Sequence, residues 1–216
     1  MDKDVLTPII LFSILGLMII GLLVWYYYQQ KTNRETQRHL SDRDLLRLID
    51  GEPDQLVSPH QLRDKTELSL NEARSRLESL NKFGIMNRGT NSRGRFFYGL
   101  REPLEKTPPD LELSSDPFLT VEDLLHIFAA YDYRVTAQEL IMATGLPLAV
   151  IKREMKYFEQ QKIVQRLSRS DANGVMVKRF FVLQDPYRSD PDRFRAQAGK
   201  LDLEMREILT NNNLLV

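Results

Sequence analysis

The sequence repeats itself, and the repeat limits the fold more than any other feature. Residues 44–49, DLLRLI, correspond to 123–128, DLLHIF; residues 57–62, VSPHQL, to 135–140, VTAQEL; and residues 66–70, TELSL, to 144–148, TGLPL. Each unit closes on an Arg-Phe-Phe triplet, at Arg95 and again at Arg179. The offset runs 79, 78 and then 84 residues, so the insertions fall between the matched segments, where loops absorb them. Two copies of one small unit are the economical account of this pattern.

Within each copy the helix starts are marked. A hydroxyl followed three residues later by an acid or amide satisfies orphan amides from both sides. Ser41 with Asp44, Ser58 with Gln61 and Ser69 with Glu72 give three starts in the first copy; Thr120 with Asp123 and Thr136 with Glu139 give two in the second. The sixth helix is expected to begin at Pro147, a favoured first-turn residue. The third helix of copy one carries Leu70, Ala73, Leu77 and Leu80 on one face and stops near Gly84; its counterpart carries Leu148, Ile151, Met155 and Phe158. After each come two β-prone runs around a polar turn, at residues 89–94 and 168–174, so each copy reads as three helices and a hairpin.

That order resembles the winged helix-turn-helix superfamily, in particular bacterial regulators of the MarR and ArsR kind. Residues 68–85, LSLNEARSRLESLNKFGI, look like their recognition helix and following strand: a hydroxyl cap, polar and basic exposed positions, spaced leucines, then glycine and a β-branched residue. The resemblance covers residues 41–101 and 117–185. It implies two tandem winged helices, in a family whose members bind DNA but whose fold also serves as a protein-docking module.

Ahead of the repeats, residues 5–28 carry no charge and are almost entirely aliphatic from Ile9 to Val24, long enough to cross a bilayer as a helix over about 6–28. Trp25, Tyr26, Tyr27 and Tyr28 follow, as at a headgroup boundary. A cleaved secretory signal would need a basic start, a shorter apolar stretch and a small-residue cleavage site, none of which is here. Lys31, Arg34 and Arg38 follow the run with only Glu35 opposing them, which places the C-terminal side in the cytoplasm and the N-terminus outside a bacterial inner membrane. The expected fold is therefore mainly α with small β-hairpins (α+β): an anchor over 1–28, a juxtamembrane segment over 29–40, winged helices over 41–101 and 117–185, and a C-terminal helix and tail over 186–216.

Residues 102–116 are rich in proline, with five acids against one lysine, and read as a semi-extended linker between the copies. From Asp190 onward Phe194, Ala198, Leu201, Met205 and Ile208 alternate at spacings of four and three. That pattern fits a coiled-coil seam, and hence a homodimer or protein partner through 190–209, but it lasts only about two heptads and fits packing against a winged helix equally.

Function has to be argued from segments, because 30 basic residues balance 30 acidic ones. As a DNA reader, copy one would present Asn71, Arg74, Ser75 and Arg76 on its third helix and Arg88, Arg93 and Arg95 on its wing; copy two would present Lys152, Arg153 and Lys156 with Lys178 and Arg179. Against this, copy one holds 11 basic and 9 acidic residues and copy two 9 and 8, without the clear basic excess usual in DNA-binding domains. The two readings are thus a transcriptional regulator on duplex DNA and a scaffold whose winged helices dock proteins. No cysteine is present, and His39, His60 and His126 lack ligand spacing. No phosphate loop or nucleophile-elbow motif appears, so the chain is read as no enzyme, with no metal, cofactor or small-molecule ligand.

Overall fold

The computed structural model describes residues 40–104, 111–170 and 176–211, together with Gly16, Met18 and Ile20. In the first repeat the capping hydroxyls act as their spacing predicts. The Ser41 side chain accepts the Asp44 N–H and opens α1 (Asp42–Asp50); full capping boxes of Ser58 with Gln61 and Ser69 with Glu72 open α2 (Pro59–Lys65) and α3 (Leu70–Phe83). A two-residue strand, β1 (Leu56–Val57), lies between α1 and α2, and β2 (Met86–Thr90) and β3 (Phe96–Leu100) form the hairpin. The sheet is antiparallel in the order β1-β3-β2, with Val57 opposite Tyr98 and Arg88 opposite Tyr98 from the other side.

The second repeat has the same order of elements. Boxes of Thr120 with Asp123 and Thr136 with Glu139 open α4 (Val121–Ala130) and α5 (Ala137–Thr144), with β4 (Arg134–Val135) between them. Helix α6 (Leu148–Gln160) leads into β5 (Val164–Ser170) and β6 (Met176–Leu183), in a sheet ordered β4-β6-β5. Leucines, isoleucines and phenylalanines at helical spacing on α1, α3, α4 and α6 are buried together, and both repeats contribute to one continuous apolar core.

The repeats are joined by a specific polar grip. Pro147 caps α6 with no side-chain hydrogen bond, standing outside the helix rather than in its first turn. The cap comes from the other repeat: Asp42 Oδ2 accepts the Leu148 N–H at 2.8 Å. Beside it Arg43 donates to the carbonyl of Ala143 at 2.9 Å and of Ile141 at 3.5 Å, near the end of α5. A carboxylate thus meets a helix N-terminus and a guanidinium a helix C-terminus, each matching the sign of the helix dipole there. Gly145, between the two helices, has φ 74, and a Cβ on it would come within 3.1 Å of the Arg43 guanidinium.

The apolar seam near the C-terminus is spent inside the chain. It forms two helices, α7 (Pro191–Arg195) and α8 (Ala198–Asn211), rather than one. Phe194, Leu201, Met205 and Leu209 are buried, and the helices pack on α4 and α6 of the second repeat. Of the two readings of this seam, the structure shows packing against the second repeat, with Ala198 and Ile208 partly buried beside Phe194, Leu201 and Met205 and with Leu203 exposed.

The expected membrane anchor is also corrected. The run over 5–28 lies outside the described residues apart from Gly16, Met18 and Ile20. Among the described residues no helix is long and apolar enough to cross a membrane. A span needs roughly 20 consecutive apolar residues, whereas the longest helices, α3 and α8, have 14 residues, with buried faces opposed by exposed polar ones. The architecture described is α+β, with eight helices and two three-stranded sheets. The expected single-pass span, with the inner-membrane placement and the bilayer partner drawn from it, is corrected to that statement of the described residues.

Candidate nucleic-acid interface

The two hairpins and the residues flanking them are nearly free of acidic side chains. From Ser79 to Arg101 there are five basic residues and no acidic one; from Gln160 to Gln184 there are five against Asp171 alone. Because the whole chain is neutral, everything outside these two segments is acidic by nine charges. Overall balance therefore hides a strong segregation, which the totals for each repeat also mask.

In the first repeat, Asn71 and Arg74 are exposed on α3, and Ser75 is half-buried beside them. Arg93 and Arg95 stand exposed at the tip of the hairpin, where Asn91 Oδ1 accepts both their backbone N–H groups at 3.0 Å and fixes the turn. Arg88 lies 4.7 Å over the Phe96 ring and 3.5 Å from Glu78. Glu78 is the one carboxylate on this outer face of α3, and Lys82 at 3.6 Å and Arg88 share it.

Arg76 does not belong to this surface. It is 3% exposed, donates to the Leu40 carbonyl and forms an ion pair with buried Asp42. Its helical position explains this: residues 73, 76, 77 and 80 lie on the inner face of α3, so an arginine there must turn inward. The equivalent position in α6 is Glu154, fully buried, whose Oε1 accepts the Leu119 N–H at 2.8 Å. Leu40 and Leu119 are themselves equivalent, one residue before the cap of each repeat's first helix. The same clamp is built twice with opposite charge, a donor gripping a carbonyl and an acceptor gripping an amide. Among the described residues no cation lies within ion-pair distance of this carboxylate, and burial pushes the Glu154 carboxyl up to about 8.

Copy two presents a narrower face. Lys152 and Lys156 are exposed on α6, while Arg153 is half-buried. Lys178 is committed to Glu102 at 2.7 Å, and Arg179 donates to the Phe83 carbonyl at 3.4 Å, so both reach toward the first repeat. The start of α6 is occupied by Asp42. Sequence reading missed Asp42, Arg43 and Glu154, since a charge in a helix reads by default as solvated; their inward positions in the helical repeat were the available signal.

Among the described residues no three of His, Cys, Asp and Glu come together as a metal-binding group. No family model, characterised protein or solved structure matches this chain.

Proposed function

We propose that the two repeats are winged helices forming one duplex-DNA-binding unit, a transcriptional regulator in which the first repeat is the principal reader. The observation that carries this reading is the net positive charge of the two hairpins with their flanking residues, +9 together, in a neutral chain. A duplex carries a dense row of phosphates, and a protein binds it by placing lysine and arginine along that row. Asn71 and Arg74 on α3 supply groups suited to base edges, with Arg88, Arg93 and Arg95 suited to phosphate. Lys152 and Lys156 extend the surface into the second repeat from the middle of α6. The reading assigns no reaction to the chain.

The experiment is titration of the full chain with labelled duplex DNA across a range of salt concentrations. Binding that weakens steeply with salt, and that Arg74→Ala with Arg93→Ala and Arg95→Ala impairs, supports the reading; no binding at low salt overturns it. A second reading, docking of proteins, is favoured by one observation. The turn between α5 and α6 already holds a protein segment, the start of α1.

A further inference from the structure

The outer face of α3 carries Asn71, Arg74, Ser75 and Glu78, at i, i+3, i+4 and i+7, followed by Lys82 near the end of the helix. A helix lying in a major groove reads bases from one such stripe. Asn71, Arg74 and Ser75 bear groups that donate to a duplex. Glu78 bears a group that every phosphate repels, and its side chain is 37% exposed. The equivalent position on α6 is Lys156, exposed and cationic. A helix that only held a row of phosphates would carry a cation here, as the second repeat does. The first repeat carries the opposite charge.

This carboxylate is held in place without being consumed. Donors from three elements surround it: the Tyr98 hydroxyl of β3 at 3.4 Å, the Arg88 guanidinium of β2 at 3.5 Å and Lys82, one turn along α3, at 3.6 Å. All three distances exceed those of charge-assisted hydrogen bonds, about 2.7–2.9 Å for a cation on a carboxylate. By contrast, Glu102 and Glu122 hold their cations at 2.7 Å. Tyr98 is buried, and burial together with the Glu78 charge raises its phenol, which keeps it a proton donor to the carboxylate. Arg88 is shared with the Phe96 ring, 4.7 Å away. Glu78 thus stands at a fixed place on the reading face with acceptor capacity to spare.

In the major groove a spare acceptor needs a base that offers a donor. Cytosine N4 is that donor, whereas guanine and thymine present acceptors. Adenine sets its N7 acceptor beside its N6 donor, and N7 repels the second carboxylate oxygen. We propose that Glu78 is the specificity-determining residue of the first repeat, accepting the N4 amino group of one cytosine and rejecting duplexes that present acceptors at that position. The inference rests on the duplex reading and adds a selective element to it. Glu78 lowers affinity for duplex DNA in general and restores it only where the cytosine is present.

The test is selection of duplexes from a random-sequence pool by the full chain, by Glu78→Gln and by Glu78→Ala, with Glu207→Gln on the exposed side of α8 as the control. The parent should prefer cytosine at one position by roughly ten-fold, the discrimination of one good base contact. In Glu78→Gln the same position should turn to adenine, whose N6 and N7 suit an amide. Glu78→Ala should lose the preference there and bind duplexes of unselected sequence roughly five-fold more tightly, one like-charge repulsion having been removed. Glu207→Gln should select as the parent does. The same preference in the parent and both Glu78 variants, or a change confined to overall affinity, overturns the inference and leaves the duplex reading standing. Failure of all four chains to bind any duplex at low salt overturns the duplex reading itself, and this inference with it.

Discussion

At the residue scale the two equivalent buried charges make opposite predictions. Arg76 has its carboxylate in Asp42, so Arg76→Met removes the cation facing a buried anion and a donor to the Leu40 carbonyl and should destabilise the fold by about 3 kcal/mol or more, measured by denaturant unfolding. Glu154 has no such cation among the described residues. Below pH 4.5, its ordinary value, the carboxyl is protonated in both folded and unfolded chains; between there and about 8 only the folded chain keeps the proton, so stability falls as pH rises. Glu154→Gln keeps the acceptor for Leu119 and removes the charge. It should be more stable than the parent at pH 8 and should flatten the decline between pH 5 and 8; an unchanged slope would refute the assignment. In the sequence only helical spacing pointed to these roles, because arginine and glutamate inside a polar helix otherwise look solvated until the facing residues are known. The exposed Asn71, Arg74, Arg93 and Arg95 were legible, since a capped helix and a polar turn determine where such side chains point.

At the element scale the helix starts follow from local chemistry. Four capping boxes and one Ser cap are made within four residues of chain, which is why their spacing alone locates them. The two-residue strands β1 and β4 were not legible, because their pairing with β3 and β6 is long-range and two residues hold no alternation. Helix ends differ between the copies in a way that can be tested. Gly84 ends α3 at φ 91, and the equivalent residue after α6 is Lys162, at φ 58. Lys162→Gly should relieve the left-handed strain and add about 0.5–1 kcal/mol, visible as a melting temperature higher by a few degrees. Gly145→Ala should do the reverse, costing about 1–2 kcal/mol for its backbone alone and more if Arg43 is displaced from the α5 carbonyls.

For the whole molecule, the repeat conveyed the order of elements but not the relation between its copies. Sequence periodicity describes each unit, whereas the grip of Asp42 and Arg43 on the second unit joins residues about a hundred positions apart. The same limit applies to the C-terminal seam, whose spacing is equally good for a partner chain and for the α4 and α6 surfaces it covers. Charge segregation predicts that duplex affinity is lost mainly through the hairpins: Arg93→Ala with Arg95→Ala should reduce the salt slope by about two, while removing basic residues from α1 or α8 should leave it unchanged. Fluorescence anisotropy at several salt concentrations measures both. The grip has a further consequence for how such a protein can change over generations. A duplicated unit is ordinarily free to be exchanged, reordered or lost, but here the second copy's third helix, α6, borrows its terminal carboxylate from Asp42 of the first. A change at Asp42 or at the start of α6 is therefore felt in both copies at once, and neither can be replaced without regard to the other.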